Sequence, residues 1–434
     1  EAPRENLHPL LELVLKHVPA PDVDVNAPFS FLSTLLSSDP YLGRTLTGKI
    51  YSGVAKVNSS VKALSLDGKT VETFRLTKLL AFDGIDRVPV DEAVAGDIIS
   101  IAGMVKTSVA DTVCDPAIET PISSDPVDPP TMAVTITVND SPYAGQEGKK
   151  LTSTMIRDRL MAEAETNVAI RVRETDNKDA FELAGRGELQ LGVLIETMRR
   201  EGFELSVSRP RVLLKEENGQ KLEPYEEVIV DVDEEFSGAV VEKMTQRKAE
   251  LIDMRQSGVG KSRITFKAPS RGLIGYQSQF LTDTRGTGLM NRLFMEYGPY
   301  KGDIAGRRNG ALISNGKGDA VAYAIFNLQD RGIMFVKPQD KVYEGMIVGE
   351  HSRDNDLDVN VLKGKQLTNV RASGSDEAVK LVPPQKMSLE QMIAYINDDE
   401  LVEVTPESLR LRKVHLSATD RTTAKRQAAK AATS

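Results

Sequence analysis

The chain holds a single cysteine, Cys114, among 434 residues, and only four histidines, His8, His17, His351 and His415. One cysteine excludes internal disulfides, and histidines this scattered give none of the short spacings that a metal site uses. Long apolar runs are missing as well. The longest, such as IISIAG from Ile98 to Gly103, are strand-sized, well short of the ~20 residues of a membrane-spanning helix. The opening segment EAPRENLHPLLELVLKHVPAP has neither a basic leader nor a small-residue cleavage site, and carries Glu1, Glu5 and Glu12. It reads as cut from a longer chain rather than as a secretory signal. The expectation is an intracellular, metal-free protein with no membrane span.

Catalytic constellations are lacking too. No serine or cysteine can be paired with a histidine, and no carboxylate pair stands out from ordinary surface charge. The string SGVGKS, Ser257 to Ser262, ends as a phosphate loop ends, but GxxxxGK[ST] demands a glycine where Arg255 stands. Its expected context, helix before and strand Ile264 to Phe266 after, is that of a helix-to-strand turn. Asn177-Lys178-Asp179 places its aspartate one position too early for a guanine-specificity motif and reads as a turn. GRGELQLG, Gly185 to Gly192, has Gln190 where a dinucleotide fingerprint needs its third glycine. Catalytic, cofactor-binding and metal-binding residues are therefore all expected to be absent.

What is present is a chain with 40% hydrophobic and 27% charged residues, the balance of soluble globular protein, long enough for three to four domains. Leu10, Leu11, Val14 and Leu15 repeat at helical spacing before Pro19, Pro21 and Pro28 stop the helix, as at the end of a domain. From about Phe29 to Ile122, short strands alternate with turns at Leu42-Gly43, Ser52-Gly53, Asp67-Gly68 and Ala95-Gly96-Asp97, which predicts a small β-barrel. After the linker PISSDPVDPP the period changes. Ala133 to Val138, Leu151 to Ala164, Val168 to Val172, Phe181 to Leu183, the stripe Leu191, Leu194, Ile195 and Met198, and Phe203 to Val207 spell two β-α-β units, a ferredoxin-like domain.

The pattern recurs with Val228 to Val232, then Val241, Met244, Leu251 and Ile252 on one helical face. Ile264 and Phe266 lead into a helix around Leu273 to Thr284, and a strand holds Phe294 and Met295. Glycine-punctuated strands follow Gly302, and Ser388 with Gln391 predicts a capping box at a short helix.

Net charge is −8, which counts against a nucleic-acid binder, yet seven basic residues and one acidic lie between Arg410 and Lys430. As a solvated face or an unstructured tail such a run needs no partner. Gly-rich loops with interspersed Arg, Lys and Asn can follow a phosphate backbone. Arg307, Arg308, Asn309, Asn315 and Lys317 form one such loop; Arg353, Asn355, Lys363, Lys365, Asn369 and Arg371 form another, with Arg410, Arg412 and Lys413 further on. Turn chemistry is the competing account of the same Asn-Gly and Asp-Asn pairs.

The run ALISNGKGDAVAYAIFNLQDRGIMFVKPQDKVYE, Ala311 to Glu344, with HSRDNDLDVN and GKQLTNVRASGSDEAV after it, resembles the C-terminal domain of the BipA (TypA) family of translational GTPases. GRTLTGKIYSGVAKVNSSVKAL, Gly43 to Leu64, is similar to the second-domain barrel of elongation factor Tu and its relatives. Many of those have glycine where Asn58 stands here, and asparagine tolerates the same left-handed turn. AGRGELQLGVLIETMRREGFELSVSRP and APSRGLIGYQSQFLTDTRGTG look like the third and fifth domains of elongation factor G.

The resemblance implies a multidomain α+β protein. Residues 1–28 would be the end of a GTPase domain, 29–125 a barrel, 126–212 and 213–301 two ferredoxin-like domains, 302–416 a β-rich family-specific domain and 417–434 a basic, unstructured tail. By the same resemblance the intact protein binds GTP and Mg2+ in a preceding domain and acts in ribosome assembly, translation and adaptation to cold and other stress. Partners would be ribosomal RNA and the acceptor end of an A-site tRNA, met by a monomer in the bacterial cytoplasm or an organelle of bacterial origin. RNA contacts would fall to Lys363, Lys365, Asn369 and Arg371. Two rivals remain: a GTP-independent RNA-binding assembly protein, and a metabolic enzyme or sensor with a ligand pocket between its ferredoxin-like repeats.

Overall fold

The computed structural model describes residues 6–19, 22–39, 41–258, 260–304, 307, 309–364 and 380–432. The chain divides into two compact units, residues 1–127 with 162–168 and residues 128–161 with 169–434.

The first unit opens with the helix His8–His17, none of whose residues is buried. Its body is an eight-stranded antiparallel sheet. In spatial order the strands are Thr70–Arg75, Ser60–Leu64, Thr112–Cys114, Ser30–Asp39, Gly43–Ser52, Ile98–Ala102, Lys78–Asp83 and Asp86–Val90, and a separate ribbon joins Val54–Lys56 to Glu92–Val94. Phe31, Leu46, Ile50, Leu79, Ile99, Ile101 and Val113 form its core. Gly48 is demanded by close approach: a Cβ there would stand 1.9 Å from the carbonyl oxygen of Leu32 on the paired strand. Asn58 adopts the left-handed conformation, φ 65°, as its place in the motif predicts.

The second unit begins with a βαββαβ run. Strands Met132–Val138, Arg171–Glu174, Ala180–Gly185 and Leu205–Ser208 lie in the order 2-3-1-4, with helices Ser153–Thr166 and Glu188–Arg200 between them in sequence, the ferredoxin-like arrangement. The sheet does not stop there. Leu205–Ser208 pairs with Glu400–Val404, and Leu409–Lys413, Met346–His351, Ala311–Ser314 and Leu357–Val359 follow, nine strands along this path, with Arg211–Val212 and Gly332–Met334 paired beside it to make eleven. Val134, Phe181, Leu194 and Leu205 share one core with Ile313, Ile347, Ile393 and Val402.

A second βαββαβ run makes its own sheet from Gln220–Asp233, Glu250–Gln256, Lys261–Pro269 and Leu289–Pro299, again ordered 2-3-1-4. Helices Glu234–Gln246 and Tyr276–Asp283 supply Val240, Met244, Tyr276 and Phe280 to a core with Val228, Val230, Ile264 and Phe266.

Several local readings are corrected. Leu251 and Ile252 do not continue the helix of Met244; the chain turns at Lys248, φ 66°, and they enter the edge strand Glu250–Gln256. SGVGKS therefore has a strand, not a helix, before it. The helix expected from Leu273 is a 3-10 turn, Ser270–Leu273, then a break at Gly275, φ 70°, before Tyr276–Asp283. A helix at Ala322–Leu328 interrupts the run in which strands were expected to dominate. The tail expected to be unstructured forms the helix Ala418–Ala432, in keeping with the helix propensity of its Ala, Lys, Arg and Gln residues.

Candidate nucleic-acid interface

The expected phosphate-binding cations fall into two physical classes. In the hairpin of Glu400–Val404 with Leu409–Lys413, Glu400 sits opposite Lys413 and Glu403 opposite Arg410. Lys413 Nζ lies 2.8 Å from Asp356, 2.9 Å from Asp399 and 2.9 Å from Glu400, with its side chain 2% exposed. Arg410 donates to Glu147 at 2.7 Å and to Glu403 at 3.0 Å. Arg412, buried, donates to Asp140 and, at 3.1 Å, to the Ser206 hydroxyl. Arg307 forks onto both oxygens of Glu400, at 3.0 and 2.9 Å, with its guanidinium 4.4 Å over the Tyr395 ring.

These four cations are spent inside the fold, which revises the expectation for them. Each is already paired with carboxylates rather than left open to phosphate. Burial pushes the Glu147 carboxyl up, but Thr405, Arg410 and Ser408 donate to it and together bring it down to about 2.

Lys317, Arg353, Asn355 and Lys363 are exposed. Strands Ala311–Ser314 and Leu357–Val359 run parallel, so the loops before them adjoin and the loops after them adjoin. At the near end the Gly310 amide donates to the Arg353 carbonyl at 2.7 Å. At the far end Gly316 and Gly318 pack on Leu362, bringing the Lys317 and Lys363 loops side by side. The candidates thus form two groups, Arg353 with Asn355 and Lys317 with Lys363, separated by the strand pair, roughly 13 Å at four residues of ~3.3 Å rise. Lys317 Nζ also lies 5.0 Å from the Tyr143 ring centroid. Arg308, Lys365, Asn369 and Arg371 lie outside the described residues.

Family models match three parts of this chain: "TypA/BipA C-terminal domain" over residues 309–418, "Elongation factor G C-terminus" over 220–308 and "Elongation factor Tu domain 2" over 43–114. A protein of Escherichia coli K12 named "Large ribosomal subunit assembly factor BipA" is 49% identical over 423 residues, 97% of this chain and 70% of that protein. Its namesake in Bacillus subtilis 168 is 47% identical over 418 residues, 96% and 68%. The chain belongs to the BipA (TypA) family.

The family-specific C-terminal domain therefore holds both exposed loop groups, and also the buried hairpin that sequence reasoning counted among the binders. What that reasoning missed is a set of acids inside the fold, the buried Glu204, Glu400 and Glu403 and the half-buried Glu147. A signal was available for two of them: ELVEV and LRLRK, read as adjacent antiparallel strands, place opposite charges face to face. Glu147 and Glu204 gave none, since the loop that carries Glu147 meets residues 400–413 only through the tertiary fold.

Neither a nucleotide loop nor a magnesium site fits the residues described. SGVGKS turns between two strands, without the strand-to-helix geometry that presents amides to phosphates, and no cluster of three metal-ligating side chains occurs among the described residues. Asn177-Lys178-Asp179 is an Asx turn, the Asp179 amide donating to Asn177 Oδ1 at 3.0 Å. No helix among the described residues is long and apolar enough to cross a membrane.

Proposed function

We propose that this chain is the ribosome-binding portion of a BipA-type translational GTPase that serves in assembly of the large ribosomal subunit. The observation that carries the reading is identity of 47–49% across nearly the whole chain to proteins named for that task. The factor-like domains support docking at the ribosome, with GTP and Mg2+ belonging to the intact protein rather than to the residues described here.

Within it, the exposed loop ends Lys317, Arg353, Asn355 and Lys363, with Arg308, Lys365, Asn369 and Arg371, contact ribosomal RNA and the acceptor end of an A-site tRNA through phosphate and polar groups. Translation under cold and other stress is the setting, and a cytoplasmic monomer the acting form. The segments given from sequence would be the functional divisions of the chain on this reading. Co-sedimentation with separated ribosomal subunits at low salt tests it. Binding to large subunits in preference to small ones is expected, and equal or absent binding to both would oppose it.

A further inference from the structure

A cleft of about 790 Å3 opens in the second unit, lined by residues 209–214, by the 3-10 turn Ser270–Leu273 with the start of helix Tyr276–Asp283, and by the end of helix Leu389–Tyr395. Five arginines line it, Arg209, Arg211, Arg247, Arg271 and Arg307, against three carboxylates, Asp303, Glu350 and Asp398. Each carboxylate is already engaged: Asp303 accepts from the Tyr300 hydroxyl at 2.9 Å, Glu350 from Asn309 Nδ2 at 2.8 Å, and Asp398 pairs with Arg209 at 3.2 Å.

The arginines differ in what holds them. Arg271 and Arg307 are anchored on the buried Glu223 and Glu400, and their guanidinium groups lie 4.3 and 4.4 Å from the Tyr300 and Tyr395 rings. Arg209 pairs with an Asp398 side chain that is 89% exposed, whereas Arg211, itself exposed, pairs with a Glu182 side chain that is only 14% exposed. An exposed pair such as Arg209 with Asp398 is screened by water and exchanges readily for a better acceptor. Arg247 stands apart. It donates to the carbonyls of Gly272 at 2.7 Å and Ile274 at 3.4 Å and to Gln279 Oε1 at 3.0 Å, and lies 4.8 Å from the Tyr276 ring, with no carboxylate in ion-pair contact among the described residues. Its half-buried charge is met at contact distance by these dipoles, and from farther off by the Glu188 and Asp283 carboxylates.

A half-buried guanidinium with no carboxylate in ion-pair contact, beside a rim arginine whose exposed pair is easily exchanged, suits an anion with several oxygens. A single carboxylate would satisfy one fork and leave the others; a phosphate can accept from three at once. We propose that this cleft is a phosphate-binding site, taking the phosphate of a free nucleotide or of an RNA strand on Arg247, with Arg209 and Arg211 turning onto it from the rim. The bound group would tie the three lining stretches together.

Isothermal titration of the whole chain with sodium pyrophosphate, with GMP and with a 12-nucleotide single-stranded RNA tests this. Saturable binding of pyrophosphate that weakens with salt is expected, at least tenfold weaker in Arg247→Gln and severalfold weaker in Arg209→Gln. Arg209 is part-exposed, so its variant reports even if Arg247→Gln melts early. Loss of GMP binding in both variants would make the source a nucleotide, and loss of RNA binding alone would make it a strand. Absence of pyrophosphate binding at millimolar concentration, or binding unchanged in Arg209→Gln and in a natively melting Arg247→Gln, overturns the proposal.

Discussion

Replacing Arg410 by alanine leaves Glu403, fully buried, and Glu147 without their shared cation, so the variant should lose about 3–5 kcal/mol in urea denaturation. Arg353→Ala, at an exposed loop, should stay within ~0.5 kcal/mol of wild type. Had both been phosphate contacts, the two would behave alike. Glu147 adds a pH signature. Its carboxyl is held at about 2, below the ordinary 4.5, so the folded state prefers it ionised. That stabilisation, on the order of 3 kcal/mol, is fully present above about pH 4.5 and is lost as pH falls through 2. The stability gap between wild type and Glu147→Gln should accordingly narrow between pH 5 and pH 2 in chemical denaturation; a gap independent of pH would show the carboxylate is not held low. At this scale the sequence displayed which residues are charged but not which are spent, because Glu147 and Arg410 lie far apart along the chain and meet only in the fold.

Elements were legible where a local signal belonged to one structure alone. Ser388 accepts from the Gln391 amide while the Gln391 side chain accepts from the Ser388 amide, the reciprocal cap that the spacing predicted. Ser388→Ala should therefore cost about 1 kcal/mol in thermal or urea unfolding, and an unchanged midpoint would contradict that contribution. The turn glycines Gly43, Gly53, Gly68 and Gly96 all have positive φ, as their motifs required. Illegible elements were those whose apolar residues fit two periods. Leu251 and Ile252 follow Met244 by seven and eight residues and so match its helical face, yet they belong to an edge strand; Ala322–Leu328, apolar but for Asn327, reads as strand and folds as helix. Gly48 carries a tighter constraint than any pattern announces. Gly48→Ala would drive a methyl group into the Leu32 carbonyl, so a loss of roughly 2–4 kcal/mol is expected in the melting of the first unit, and wild-type stability would mean the two strands can part.

Over the whole molecule, the ferredoxin-like runs were visible in sequence because each is local, while the joining of strand Leu205–Ser208 to Glu400–Val404 was not, since nearly two hundred residues separate the partners. That joint makes the family-specific strands a continuation of the first ferredoxin-like sheet and places the buried ion pairs along the junction. It also sets the exposed loops at the two ends of Ala311–Ser314 and Leu357–Val359 on a rigid support, the arrangement an RNA-contacting loop needs to hold its cations in register. The most direct test of this account is co-sedimentation with ribosomes across a salt series, comparing wild type with Lys363→Ala/Lys365→Ala/Arg371→Ala. Loss of three phosphate contacts predicts weaker binding and a salt slope shallower by about two to three units. Binding that keeps both the affinity and the slope of wild type would contradict the assignment of the RNA contact to these loops.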